Sequence, residues 1–316
     1  MSNTTRFAYA RHALVAALEH LGAQTGDLVE VPEFICRDVL ASLHKVGVRP
    51  RFYPVGRNLR PLGSKVDTSS RFVLMVNYFG FPQDVNDFRM RWPNAKIIED
   101  NAHGFLSRDH SGIELGTRTE AGITSCRKTI LLPDGAFLHT PSQFDSDDTN
   151  DLERRPVPLG FVIRSSASRC ERATGIPINS ALRRALRAVR QVRTGSPLPR
   201  SDVWTESILP RDIRMSHAAF DILKKVDHSK EVERRRRLFN ECAVFASEHT
   251  VEVIFRNLPH GCAPYGFPFI APVSNSSLAQ LARRLHCEII EWPDLPTAIT
   301  VPSDHFYRQV RVINFL

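Results

Sequence analysis

Helix and strand patterns alternate along the first part of the chain, and this alternation limits the possible folds more than any other feature. Apolar residues at helical spacing over residues 13–21 end at Gly22, and a second helical face over residues 39–46 ends at Gly47. Short apolar runs follow each helix, and the continuous run at residues 72–76 is typical of a strand that is buried on both faces. The sequence therefore predicts an α/β core with a mostly parallel sheet.

Length and composition fit one large domain and a smaller one. The 316 residues, of which 42% are hydrophobic, can bury a sizeable core, and we expect a large domain over residues 1–210. Residues 211–316 are predicted to form a linking helix and a small C-terminal α+β domain. A cytoplasmic location is expected, because there is no secretory signal and no run of about 20 apolar residues. The scattered cysteines predict neither a metal site nor a disulfide framework.

The net charge of +8 comes from the middle of the chain, where residues 151–240 contain 20 Lys and Arg against 10 Asp and Glu. Arginines recur there with leucines and valines at helical spacing, over residues 183–193 and again over residues 234–238. Such stripes are usually solvated helix faces, and we favour that interpretation. A positive surface could also attract a sugar nucleotide or an acidic amino donor. Specific nucleic-acid binding is less favoured, because no recognised reader motif accompanies the charge.

Polar clusters follow two of the predicted strands, where ligands gather in parallel sheets. Asp100 and His103 lie in the sequence EDNAH at residues 99–103, and Lys128 follows Ser125 after a later strand. A pyridoxal phosphate site needs a lysine that binds the cofactor covalently and a carboxylate that keeps the ring nitrogen protonated. The two clusters together predict such a site. Taken singly, Lys128 would more often be a surface residue, Asp100 a turn cap and His103 a structural histidine.

Several further motifs occur in a fixed order along residues 11–136. They are RHAL at 11–14, GDLVEVP at 26–32, NYFGFPQD at 77–84, EDNAHG at 99–104, SCRK at 125–128 and PDGA at 133–136. In this order they resemble the DegT/DnrJ/StrS family of sugar aminotransferases, and the acidic cluster at 99–104 is the most specific part. The resemblance implies the fold type I architecture of pyridoxal phosphate enzymes, with a mostly parallel sheet flanked by helices and a small C-terminal α+β domain.

The resemblance implies a catalytic role for three residues. Lys128 would bind the cofactor and then move a proton between substrate and cofactor, with burial helping its amine to lose a proton near neutral pH. Asp100 would pair with the nitrogen of the cofactor ring. His103 would lie against the cofactor, near the ring hydroxyl. These three residues are therefore the predicted catalytic set.

Further residues would bind the other parts of the cofactor. Ser125 would donate a hydrogen bond to the phosphate, and Phe34 would stack on the ring. Arg11 and His12 stand where the family commonly has Gly and then Ser or Thr, which bind phosphate at a helix N-terminus. For Arg11, phosphate contact and solvated surface are equally favoured. Asp212 stands where the family has an Asn from the partner subunit, and its carboxylate would repel a phosphate unless Arg214 or another cation neutralised it.

The resemblance also implies a reaction and an assembly. A homodimer with shared active sites would move an amino group from a donor such as glutamate to a nucleotide-linked keto sugar, for surface polysaccharides or natural products. Lys128 argues against the related sugar dehydratases, which carry histidine at that position. Two other classes stay open, namely a catalytically silent relative that acts as a structural or regulatory partner and a basic nucleic-acid-binding protein.

Overall fold

The structure, a computed structural model, describes residues 3–63, 67–142, 151–174, 202–271 and 276–316. The strands are β1 (Asn3–Phe7), β2 (Leu28–Pro32), β3 (Arg49–Tyr53), β4 (Phe72–Val76), β5 (Lys96–Asn101), β6 (Ala121–Thr124), β7 (Ala136–Thr140), β8 (Glu252–Val253), β9 (Gly266–Ile270), β10 (Glu288–Glu291) and β11 (Val310–Asn314). The helices are α1 (Ala10–His20), α2 (Leu40–Val46), α3 (Val85–Arg91), α4 (Leu159–Thr174), α5 (His217–Lys225), α6 (His228–Glu248), α7 (Ser276–Arg284) and α8 (Phe306–Gln309). The arginines at residues 183–193 lie outside the described residues.

Seven strands form a mixed sheet in the order β1-β7-β6-β5-β4-β2-β3. The neighbouring pairs β3-β2, β2-β4, β4-β5 and β5-β6 are parallel. Strand β7 is antiparallel to β6, and β1 is antiparallel to β7. Every residue of β4 is buried, as expected for a central parallel strand that is covered on both faces. The predicted α/β fold with a mostly parallel sheet is therefore confirmed.

The first two helices end where the sequence predicts. All residues from 12 to 18 of α1 are buried, so this helix lies deep against the sheet. Its last turn is followed by Gly22, which has a φ of 77°. Helix α2 ends at Gly47, whose φ of 81° lies in the left-handed region that side chains disfavour. Both glycines thus end their helices by adopting a positive φ, which other residues disfavour.

A second sheet follows in the C-terminal part, with the antiparallel order β10-β11-β9-β8. This sheet agrees with the predicted C-terminal α+β region. One hydrophobic core contains residues of both sheets, including Phe72 of β4 and Phe267 of β9. The division near residue 210 therefore stays a prediction. None of the described helices combines the length and the apolar content that a membrane span requires.

The linking helix is interrupted. The apolar pattern over residues 216–245 predicts one long helix, but the structure has α5 and α6 with a break at Val226 and Asp227. The side chain of Asp227 accepts a hydrogen bond from the backbone N–H of Lys230 at 3.1 Å, which caps a new helix. The prediction of one continuous helix was wrong because the capping residue outweighed the apolar periodicity.

The arginine run at residues 234–237 is only partly a solvated face. Arg235 is fully buried and donates hydrogen bonds to the carbonyl oxygens of Thr129, Pro264 and Tyr265. Arg236 donates to the carbonyl oxygens of Pro259 and Cys262 at 2.7 Å and 2.8 Å. The prediction of a solvated helix face is correct for Arg237, which is exposed, and wrong for Arg235, which is buried. Irregular backbone next to the helix explains the difference, because its carbonyl groups require donors.

Candidate active site

Lys128 lies in a short 3-10 turn after the carboxyl end of β6. The strand ends at Thr124, Ser125 is extended, and the turn spans Cys126–Lys128. The backbone N–H of Lys128 donates to the carbonyl of Ser125 at 3.4 Å, and the lysine is partly buried. The turn therefore places the lysine at the edge of the sheet where the parallel strands end.

Asp100 and His103 reach the same edge from the neighbouring strand. Asp100 pairs in register with Ile123 of β6, and its Oδ1 accepts a hydrogen bond from the backbone N–H of Ala102 at 2.9 Å. His103 lies in the turn after β5, and its Nε2 is 3.3 Å from Nζ of Lys128. The structure thus brings the three predicted catalytic residues together at one end of two adjacent strands.

Burial shifts the pKa values of all three groups. It lowers the pKa of Lys128 below the ordinary lysine value, although Cys36 and Asp100 favour the charged amine. Burial also raises the pKa of Asp100. The pKa of His103 lies well below its ordinary value because of burial, and the charge of Lys128 lowers it further. The site therefore contains a neutral imidazole and an amine that loses its proton more readily than an exposed lysine.

Aromatic rings enclose the imidazole of His103. Tyr265 stacks on it with ring centroids 4.5 Å apart and an interplanar angle of 20°. Trp292 meets it edge-on at a centroid distance of 5.2 Å. Tyr265 directly precedes β9 and Trp292 directly follows β10, so both lie at the ends of strands of the second sheet. Neither residue was predicted from the sequence, in which their only signal is that they are large aromatics at strand ends.

The backbone of Phe79 determines which ring nitrogen of His103 carries the proton. Phe79 has a φ of 56°, in the left-handed region, and such strain costs about 1–3 kcal/mol. In this conformation its N–H donates to Nδ1 of His103 at 3.4 Å. Because Nδ1 accepts a hydrogen bond, the neutral ring is assigned its proton on Nε2, which is the atom that faces Lys128. His103 can then donate to Lys128 once the amine has lost its proton.

The low pKa of His103 predicts acid sensitivity of the cofactor-free protein. Below the ordinary histidine pKa of about 6.5, the unfolded chain binds a proton that the folded protein excludes, so folding stability falls as the pH falls. This one group contributes up to about 1.4 kcal/mol per pH unit until the folded pKa is reached. We expect His103→Gln to lose this contribution, which urea unfolding of both proteins at pH 7.5 and about pH 5 would measure. Equal pH dependence in the two proteins would contradict the prediction.

A buried ion pair supports the segments that carry the site. Glu99, which is fully buried, accepts hydrogen bonds from Nε of Arg118 at 2.8 Å and from Nδ2 of Asn77 at 2.7 Å. The backbone N–H of Gln83 donates to Oδ1 of Asn77 at 3.0 Å. Glu99 directly precedes Asp100, and Asn77 begins the loop that contains Phe79. The ion pair therefore fixes two backbone segments on which the geometry of His103 depends.

Phe34, the predicted stacking residue, lies in the aromatic core beside the site. Its ring is fully buried and packs against Trp292 at a centroid distance of 5.0 Å and against Tyr307 at 5.1 Å. Trp292 in turn contacts His103, so Phe34 lies one aromatic layer behind the imidazole. This placement favours a core role for Phe34. Cys36 lies close enough to Lys128 for the two groups to influence each other's pKa, and burial raises the pKa of Cys36 to about 11.

The predicted phosphate residues lie around the start of α1 and the lysine turn. Arg11 is in the first turn of α1 and pairs with Asp38 at 3.6 Å. Ser125 is buried and begins the turn that contains Lys128. Asp212 is paired with Arg155 at 3.5 Å, so Arg155 is a cation that neutralises it, besides the predicted Arg214. Arg214 is partly buried.

This chain has the fold of solved aminotransferase and sugar dehydratase structures. An aminotransferase of the DegT DnrJ EryC1 StrS type from Brucella abortus superposes with a TM-score of 0.60 and 15% identity, covering 99% of this chain and 80% of that chain. DesV from S. venezuelae, solved with a ketimine intermediate, gives a TM-score of 0.62 and 16% identity over 98% and 79% of the two chains. E. coli GDP-4-keto-6-deoxy-D-mannose-3-dehydratase, solved with bound hydrated PLP, gives 0.61 and 16% over 99% and 84%.

These structures confirm the predicted resemblance at the level of the fold, and the low identities make this chain a divergent structural relative of them. Protein MosB from Rhizobium meliloti is 29% identical over 139 residues, which are 40% of this chain. The match spans only 27% of the length of MosB. The chain matches no family model.

Proposed function

We propose that this protein is a pyridoxal phosphate-dependent aminotransferase. It would move an amino group from glutamate to a nucleotide-linked keto sugar and so supply amino sugars for surface polysaccharides or natural products. The observation that carries the proposal is the 3.3 Å contact of Lys128 with His103 next to the buried Asp100. The site supports the proposal more than the fold does, because one fold can host many activities.

The side chains at this edge of the sheet fit pyridoxal phosphate. Lys128 can offer a neutral amine to the aldehyde of the cofactor, because burial lowers its pKa. Within the described residues Asp100 accepts a hydrogen bond through Oδ1 alone, which leaves Oδ2 for a protonated ring nitrogen. Helix α1 begins without a side-chain cap or an acidic residue in its first turn, so its N-terminus can receive a phosphate.

Each residue then has a task in the reaction. When bound, the cofactor supplies an electron sink for the bond that breaks at the substrate carbon. Asp100 holds the proton on the ring nitrogen, and Nζ of Lys128 holds the cofactor and later carries a proton to and from the reacting carbons. His103 orients the amine of Lys128 through Nε2. Ser125 and Arg11 bind the phosphate.

The substrate class and the assembly rest on separate support. The E. coli relative is named for a GDP-linked keto sugar, which supports a nucleotide sugar as the amino acceptor. A homodimer is supported by large apolar side chains that are exposed in the single chain, among them Leu159 at 73%, Trp204 at 58% and Ile208 at 55% exposure. Contiguous exposed apolar patches mark protein interfaces, and these side chains are the candidates to form one.

An absorbance spectrum tests the proposed function. We expect the purified protein with added pyridoxal phosphate to have the yellow visible band of a lysine-bound cofactor. Glutamate should then bleach this band, and a nucleotide-linked keto sugar should restore it, because the amino group passes through the cofactor in two half-reactions. A protein that stays colourless after cofactor addition would contradict the proposal and favour the catalytically silent relative.

Asp100→Asn is expected to lower the turnover number by about a hundredfold or more, because the amide cannot hold the ring nitrogen in its protonated state by charge. The covalent attachment through Lys128 should persist, so the yellow band should remain while turnover is lost. Steady-state kinetics beside the spectrum would measure both effects. Asp87→Asn, at a partly buried position of α3 that pairs with Arg91, is the matched control and should leave turnover unchanged. Full activity of Asp100→Asn would contradict the assigned role.

A further inference from the structure

Arg127 directly precedes Lys128, and its guanidinium has a hydrogen-bond donor that no acceptor in the described part of the chain satisfies. Its Nε is buried and has no hydrogen-bond partner within the described part of the chain. The guanidinium carbon lies 5.1 Å from the centre of the Tyr9 ring. The backbone N–H of Arg127 donates to the carbonyl of Gly135 at 3.5 Å, and the N–H of Gly135 donates to the carbonyl of Ala8 at 2.7 Å. These contacts hold Arg127 against the segment that leads into α1.

The surroundings of Arg127 carry an excess of positive charge. Tyr9 is the N-cap residue of α1, so the guanidinium lies at the helix N-terminus, where the helix dipole is positive. Arg11 is close enough for its charge to repel that of Arg127. Asp38 pairs with Arg11 at 3.6 Å through Oδ2, and no other acidic side chain has a comparable contact with either arginine among the residues described. Two guanidinium groups and a helix N-terminus thus face a single carboxylate.

A buried, unpartnered guanidinium donor is costly unless an anion satisfies it. We propose that Arg127 binds the phosphate of the cofactor, together with Arg11 and the N-terminal backbone of α1. The inference rests on the proposed function. It also explains how the chain can bind phosphate with Arg11 and His12 in place of the Gly-Ser/Thr pair, because a planar guanidinium can bind phosphate through two parallel hydrogen bonds.

Arg127 could instead bind the carboxylate of the amino donor, since a guanidinium can form two parallel hydrogen bonds with either anion. The position favours phosphate, because helix N-termini are suited to phosphate groups and Arg127 lies against the start of α1. A carboxylate ligand would affect the Michaelis constant for glutamate and leave cofactor affinity unchanged. A phosphate ligand would have the opposite effect.

The test compares pyridoxal 5'-phosphate with pyridoxal, which has the same aldehyde and ring but no phosphate. Equilibrium titrations of the cofactor-free wild-type protein, Arg127→Gln and Arg127→Lys would give both affinities. We expect Arg127→Gln to weaken binding of pyridoxal phosphate by about 10- to 100-fold and to leave pyridoxal binding unchanged. Arg127→Lys should fall between the two proteins, because it keeps the charge and loses the paired donors. Arg89→Gln removes one exposed arginine charge that pairs with Glu120 and should change neither affinity.

Two outcomes would overturn the inference. An equal loss for both ligands would mean that Arg127 supports the Lys128 turn, and unchanged affinities with a raised Michaelis constant for glutamate would assign it to the donor carboxylate. Failure of the proposed function is recognised separately, as a wild-type protein that binds neither ligand. In that event the melting temperatures of wild type and Arg127→Gln are measured with and without inorganic phosphate. A rise with phosphate in wild type alone supports the anion site. An equal rise in both proteins overturns it.

Discussion

Lys128→Ala is expected to abolish transamination, with a fall in the turnover number of about a thousandfold or more. The variant loses the amine that binds the cofactor covalently and the group that moves the proton, so two functions disappear together. The protein should still bind pyridoxal phosphate without the yellow lysine-bound band. Stopped-flow or steady-state assays with glutamate, together with the spectrum, would measure the loss.

A matched control and a rescue separate chemistry from folding. Lys45, which is exposed at the end of α2, has a similar side chain outside the site, and Lys45→Ala should leave turnover unchanged. A small amine such as methylamine, added to Lys128→Ala, should restore part of the proton transfer, because it can occupy the space left by the lysine side chain. Activity of Lys128→Ala near the wild-type value would contradict the assignment of this lysine.

The fold could be predicted from sequence wherever a local pattern was enough to identify a helix or a strand. The uninterrupted apolar run of β4 identified a buried strand, and glycines at positions 22 and 47 marked the ends of α1 and α2. Strands β1 and β11 carried no comparable signal, because their pairing with β7 and β9 depends on partners more than 30 residues away in the chain. Asp227 also shows that a single capping residue can override a long helical pattern.

The site was predictable only as far as its residues lie in local motifs. Asp100, His103 and Lys128 each follow a strand, and parallel strands that are neighbours in the sheet place their ends together. Tyr265 and Trp292 reach His103 from the second sheet, and no sequence spacing relates them to it. Their contacts depend on how the two sheets pack, which is a property of the whole core.

The same limit applies to Arg235, which sequence periodicity assigned to a solvated helix face. Its guanidinium is fully buried and joins α6 to the carbonyl of Thr129, directly after Lys128, and to the carbonyl of Tyr265 at 3.1 Å. Glu231 accepts a further hydrogen bond from it at 2.7 Å. Burial lowers the pKa of Arg235 to about 10, so the side chain is still charged at neutral pH. One side chain therefore connects the lysine turn with the ring that stacks on His103.

Arg235→Met is accordingly expected to lower the free energy of unfolding by about 3–5 kcal/mol, because methionine fills much of the space but leaves buried carbonyl oxygens without a donor. Glu231 keeps its contact with Arg234 at 2.7 Å, so the loss concentrates on the carbonyl groups next to Lys128 and His103. Urea unfolding would measure the change, and Arg237→Met, on an exposed position of the same helix, should stay within about 0.5 kcal/mol of wild type. Similar stability of the two variants would show that the carbonyl groups find other donors and that Arg235 does not hold the two parts of the site together.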